Sequence, residues 1–161
     1  MITFPDWYMG GYPDAEEVVM DLLQPWLDRI TPAGLACTYI PDDLRAHLPI
    51  VRIFRTGGGE DPDSRLDWSS IRLAVIGESR SDSWKVAEYC REAMFSYRDG
   101  GRVLRLDGSH TVVHSVAEMV GPQLLPELNP DVRMVPIMFR VEIKRPLHQP
   151  DYARIREDLQ L

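Results

Sequence analysis

The stretch whose residue types and spacing most suggest chemistry is Thr56-Gly57-Gly58-Gly59-Glu60-Asp61-Pro62-Asp63-Ser64-Arg65-Leu66-Asp67. Three consecutive glycines can offer backbone N–H groups to a phosphate, but a phosphate loop also needs a following Lys-Ser/Thr and a helix, and neither is present. Four acids against one base give the stretch a net charge of −3, which repels an anion. Glu60, Asp61 and Asp63 offer carboxylates to a calcium ion, yet their spacing misses the alternating pattern of a calcium loop and no bidentate Glu closes it. The segment is longer than a hairpin connection needs. A flexible loop and a loop that touches a protein partner both remain open as readings, since long loops in compact domains are commonly mobile or functional.

The other reactive side chains are scattered. His47, His110, His114 and His148 match no metal or triad spacing, and His114 beside Ser115 and Glu118 reads as a structural or half-buried histidine. Nucleophile elbows, HExxH and paired CxxC motifs are absent. Cys37 and Cys90 sit in apolar neighbourhoods without CxxC spacing and read as two reduced core thiols, a disulfide between them being the alternative. These residues imply no cofactor and no catalytic centre.

The elements that must hold these residues come in a helix, strands, helix, strands order. A helix is expected from about Asp14 to Arg29, with Val18, Val19, Leu22, Leu23, Trp26, Leu27 and Ile30 on one stripe. Asp14 and Glu17 have capping-box spacing, and Pro25 predicts a kink or an early end. Strands are expected over Leu35–Ile40, Ile50–Arg55 and Trp68–Ile76, then a helix over Ser81–Tyr97 capped by Ser81 or Asp82. Further strands follow over Val103–Leu106, Thr111–Val120 and Val132–Lys144. In the last, Val135, Ile137, Phe139, Val141 and Ile143 alternate with polar or flexible residues, and Pro136 predicts an edge position or a bulge. This order predicts an α+β fold, a mostly antiparallel sheet packed against two helices, with N- and C-terminal extensions.

Length and charge are consistent with one folded unit. The chain has 161 residues, 44% hydrophobic and 27% charged, close to the globular average, which excludes a disordered or collagen-like chain. Its net charge of −7 argues against nucleic acid as a main partner. Residues 1–28 hold Asp6, Asp14, Glu16, Glu17, Asp21 and Asp28 and no Lys or Arg, so most of the acidity lies at one end. No secretion signal and no transmembrane helix are expected. Residues 1–12 form an aromatic arm containing Trp7, Tyr8 and Tyr12, and residues 147–161 carry a weak stripe of Tyr152, Ile155 and Leu159. Each arm reads either as a frayed end or as a contact to a neighbouring subunit, because exposed aromatics usually need cover.

Several motifs come in a recognisable order: Pro13-Asp14-Ala15-Glu16-Glu17-Val18-Val19, the strand Leu48 to Ile53 running into Gly57-Gly58-Gly59-Glu60-Asp61, and Trp84-Lys85-Val86-Ala87. Val112-Val113-His114-Ser115-Val116-Ala117-Glu118-Met119-Val120-Gly121-Pro122-Gln123 and Arg140-Val141-Glu142-Ile143-Lys144-Arg145-Pro146 complete the set. Over residues 13–146 the chain resembles the tail terminator (tail completion) proteins of long-tailed bacteriophages, especially those of actinobacteria. The resemblance implies a structural virion protein without enzymatic activity, assembled in the host cytoplasm. It implies a homo-oligomer, a hexameric ring, on the head-proximal end of the tail tube that stops tube polymerisation and docks the head connector. Its partners would be the tail tube protein and the head-tail connector protein, with genome DNA passing through unbound. Within that frame Gly57, Gly58, Gly59, Glu60, Asp61, Asp63, Arg65 and Asp67 are the expected partner- or lumen-facing loop. Trp7, Tyr8, Tyr12, Tyr152, Ile155 and Leu159 are the expected subunit-contact residues. Another connector or minor tail ring subunit is the nearest alternative. A small enzyme or ligand-binding domain built on the Gly57 segment and His114 is a more distant one.

Overall fold

The computed structural model describes residues 1–124 and 133–160. Asp14 accepts a hydrogen bond from the Glu16 N–H and so starts the first helix, α1 (Ala15–Leu27), as expected from its position before the apolar stripe. The Glu17 side chain instead reaches Arg105, so the expected capping box is not closed. Pro25 does not stop the helix at once. It lies in the last turn, where only one backbone bond is forfeited before the helix ends at Leu27. Ala15, Val18, Val19, Leu22, Leu23 and Leu27 are all buried, and Gln24 binds the neighbouring strand by accepting from the Ala36 N–H and donating to the Gly34 carbonyl.

The chain then forms a short strand β1 (Leu35–Cys37), a 3-10 turn at Leu44–His47, and the long pair β2 (Ile50–Asp61) and β3 (Leu66–Ile76). A second helix α2 (Arg80–Phe95) follows, then β4 (Gly101–Leu104), β5 (His110–Val120), β6 (Met134–Lys144) and a short terminal helix α3 (Tyr152–Asp158). The expected cap of α2 at Ser81 or Asp82 is corrected to Ser79. Its hydroxyl accepts from the Asp82 N–H and bonds the Asp82 carboxylate, a serine-to-acid capping pair three residues apart. β1 is shorter than the expected Leu35–Ile40, and the expected start of β6 at Val132 lies outside the described residues.

The six strands lie in the order β1-β2-β3-β6-β5-β4, antiparallel throughout except for the parallel pair β1 and β2. The α+β expectation therefore holds. β6 lies between β3 and β5, so of the two readings of Pro136, an edge position or a bulge, the edge does not hold for the strand as a whole. Pro136 pairs with Ala74 of β3, but the last β5 partner is Val120 opposite Met138, so at Pro136 the strand is laddered on one flank only. α1 and α2 share one core with the alternate residues Ile71, Leu73 and Val75 of β3 and Val135, Ile137, Phe139, Val141 and Ile143 of β6. Both helices thus cover the same face of the sheet. Cys90 lies inside the core, where burial pushes its thiol up to about 12. Cys37 is buried opposite Arg52 of β2, and both thiols are free, so the disulfide alternative fails.

Candidate functional site

The glycine-rich stretch is not a loop. β2 and β3 continue pairing through Gly57↔Ser70, Gly58↔Ser69, Gly59↔Trp68, Glu60↔Asp67 and Asp61↔Leu66, which makes residues 57–66 the far end of a β-hairpin. A bulge between Arg55 and Gly57 marks where the arm leaves the core-facing part of the strand. Glycine is required at 58, where φ is +129° and a Cβ would stand 2.1 Å from the Trp68 carbonyl oxygen. The triplet hid the strand from sequence reading because glycine contributes no alternating side chain.

At the tip, the Asp61 carboxylate accepts from the Asp63 and Ser64 N–H groups at 3.0 and 3.4 Å, and the Arg65 N–H donates to the Asp61 carbonyl at 2.8 Å. The Ser64 hydroxyl first, then the Asp63 and Ser64 N–H groups, hold the Asp61 carboxyl below the usual carboxylate range. Arg65 takes a left-handed conformation with φ of 54° to close the turn. Two further acids of the four are engaged: Asp67 forms a two-pronged pair with Arg55, both contacts at 3.0 Å, and Glu60 accepts from the Tyr12 hydroxyl at 2.7 Å. Burial and the Glu60 carboxylate push the Tyr12 phenol up to about 12. A shallow pocket of about 430 Å³ beside the tip is lined by Arg65, Lys144, Arg145 and His148 and by no acid. Among these acids Asp67 is paired with a base, whereas Glu60 and Asp63 remain exposed.

The terminal arms meet each other within one chain. The Tyr152 hydroxyl accepts from the Met9 N–H at 3.1 Å and donates to the Gly10 carbonyl at 3.2 Å, while the rings of Trp7 and Tyr8 approach Tyr152 at 6.4 and 6.3 Å. Arg145 lies over the Tyr12 ring, which links this aromatic cluster to the hairpin arm. These contacts join the N-terminal arm to α3. Ile155 is half-buried on α3, and Leu159 at its end is exposed.

His114, Ser115 and Glu118 do not converge. His114 is exposed, Ser115 donates to Glu142 at 2.8 Å, and Glu118 forms a two-pronged pair with Arg91 of α2 at 2.6 and 2.8 Å. No group of three metal-ligating side chains occurs among the described residues. A cleft of about 450 Å³ lies between the end of α1, the 3-10 turn and α2, lined by Ile30, Pro32, Leu48, Pro49, Val86 and Tyr89 with Arg45, Lys85, Glu78 and Asp82 at its polar positions. Neither the Gly57 segment nor His114 reaches it, so the enzyme-like constellation considered from sequence is not assembled. What the structure assembles instead is a braced scaffold with a projecting hairpin and a tied pair of arms.

Comparison with protein families agrees with that scaffold. A family model described as phage tail termination protein matches residues 11–150. The chain belongs to this family. The matched span takes in α1, α2, all six strands and the hairpin arm, and no curated protein matches the chain. The family is structural, and membership makes this a phage tail protein with a role in tail completion. No helix among the described residues is long and apolar enough to cross a membrane.

Two features of the family member escaped sequence reading. Arg105, in the β4–β5 turn, reaches across to Asp21 at 2.5 Å and Glu17 at 3.3 Å on α1 and to the Thr111 hydroxyl at 3.1 Å. The open sheet face carries Arg52 and Arg72 against the Phe54 ring and Arg140 against Trp68. The second had a signal in the alternation of Arg52 with Phe54 along β2; the first, spanning 84 residues, had none.

Proposed function

We propose that this tail-completion protein forms a homo-oligomeric ring, a hexamer, on the head-proximal end of the tail tube of a long-tailed phage. The ring stops tube polymerisation, offers a docking face to the head connector, and lets genome DNA pass through without specific binding. The family match over residues 11–150 carries this reading. The architecture supports it: a sheet with its core on one face only leaves a broad second face for neighbours, and heterologous contacts between subunits close into rings when the rotation permits. Particles assembled without the protein should carry overlong tails that fail to join heads. Normal-length tails with leaking heads would assign the chain to the connector instead.

The hairpin arm over Gly57–Asp67 is the part we propose faces a partner or the lumen. Its tip residues Pro62, Asp63, Ser64 and Arg65 are exposed, and Arg55, Tyr12 and the Asp61 turn hold the arm in one conformation. Deleting Pro62–Arg65 and closing β2 to β3 with Asn-Gly should leave a folded subunit, because the core-facing pairs from Ile50 to Ile71 are untouched. The same deletion should impair head-tail joining, scored by electron microscopy of complemented lysates. Full joining by a folded deletion variant would sink the assignment.

A further inference from the structure

The pocket of about 430 Å³ beside the hairpin tip is built from the turn of the β2–β3 arm and the chain that leaves β6, and its charge has one sign. Arg65, Lys144, Arg145 and His148 line it and no Asp or Glu does, in a chain that carries 25 acids against 18 Lys and Arg. Other arginines of the fold are tied to carboxylates: Arg55 to Asp67, Arg91 to Glu118, Arg105 to Asp21 and Arg140 to Glu142. Among the described residues Arg65, Lys144 and Arg145 have no such partner. Arg145 is half-buried and steadied by the Tyr12 ring, whose centre lies 5.9 Å from its guanidinium carbon, yet it makes no side-chain hydrogen bond to a described residue. A guanidinium drawn partly out of water normally finds an acceptor.

Two polar atoms in the pocket wall need opposite partners. Arg145 Nε is a donor and Gln149 Oε1 an acceptor, and both are shut off from water with no hydrogen-bond partner among the described residues. Arg65 and His148 hold left-handed backbone, with φ of 54° and 62°, so two of the three such non-glycine residues among those described flank this one pocket. Leu147 leaves 83% of its surface exposed beside them. We propose that the pocket receives an acidic segment of a protein partner, with a carboxylate side chain against Arg145 and Lys144, a neighbouring backbone N–H turned to Gln149, and an apolar side chain against Leu147. The planar fork of a guanidinium suits a carboxylate. A peptide brings carboxylate, N–H donor and apolar surface together, whereas the phosphodiester backbone of DNA brings acceptors only. This assignment rests on the reading of the hairpin arm as a partner contact and deepens it by naming the partner's chemistry at the tip.

Fluorescence anisotropy on the full chain tests it with a labelled Glu-Leu-Glu-Leu-Glu peptide, its Gln-Leu-Gln-Leu-Gln counterpart and a labelled DNA duplex, circular dichroism confirming the fold of each variant. The acidic peptide should bind, less tightly as salt rises, and the glutamine peptide should bind about tenfold or more weakly. Arg145→Gln and Lys144→Gln should each lower affinity for the acidic peptide by a similar factor. Lys144→Gln leaves the Arg145–Tyr12 stack in place and so separates loss of charge from loss of structure. No binding of the acidic peptide by the wild-type chain, equal binding of the two peptides, or unchanged binding by the folded Arg145→Gln/Lys144→Gln chain overturns the proposal. Tighter binding of the duplex than of the peptide, lost in the same variants, reassigns the pocket to nucleic acid and overturns it as well. In complemented lysates the Pro62–Arg65 deletion and the Arg145→Gln/Lys144→Gln chain should both fail in head-tail joining. Failure of the deletion alone overturns the pocket and leaves the arm's contact standing, while normal joining by both overturns both.

Discussion

Replacing Phe139 by alanine will cost the folded chain about 3–5 kcal/mol, the range for emptying a large aromatic site in a packed core. Phe139 is fully buried in the central strand β6, where it pairs with Ile71 of β3 and Glu118 of β5 and meets the Phe95 ring of α2 edge-on at 6.1 Å. Phe95 is in turn covered by the Arg98 guanidinium at 3.7 Å, so the cavity would also loosen the contact that seats the end of α2. A net stability of roughly 5–15 kcal/mol leaves little margin for such a loss. Urea unfolding should show a lower midpoint with an unchanged slope, and Phe139→Leu, which keeps most of the volume, should lose less than half as much. A loss below about 1 kcal/mol for the alanine variant would mean that α2 does not pack on β6 as described.

The second large effect is expected at Arg105. Its guanidinium is mostly buried and pairs with the buried Asp21 carboxylate, with the more exposed Glu17 at its edge. Arg105→Ala removes the partner and leaves Asp21 uncompensated, which typically costs about 3–5 kcal/mol; the low end applies because the neighbouring Glu17 opens the site to water. The double variant Arg105→Met/Asp21→Leu should recover most of that loss, because an apolar pair of similar volume leaves no buried charge. Thermal unfolding of the two variants side by side decides it. Equal losses would show that packing of the β4–β5 turn, rather than charge compensation, holds this corner.

Both residues illustrate what was and was not legible. Phe139 was assigned to the inward face of its strand because Val135, Ile137, Phe139, Val141 and Ile143 alternate cleanly, and all five are buried. Arg105 carried no such mark, since its meaning lies in two carboxylates on a helix far away in the chain. The candidate site was legible in composition but not in form. The aromatic arms contact each other through Tyr152, which sequence order cannot reveal. The hairpin arm was expected as a loop, because three glycines offer no side chains from which a period of two can be read.

The sequence by itself determined the existence and inward faces of α1, α2, β3 and β6, and with them an α+β fold, because burial repeats at a period local to each element. Family membership followed from the order of its motifs and agrees with the family model over residues 11–150. The tertiary structure alone decided that β6 lies between β3 and β5 despite Pro136, that Asp67 of the hairpin pairs with Arg55 and Glu60 with the Tyr12 hydroxyl, and that the arginines of the open face stack on Phe54 and Trp68. Those facts depend on which distant segments meet, and a pairing between distant segments has no period along the chain.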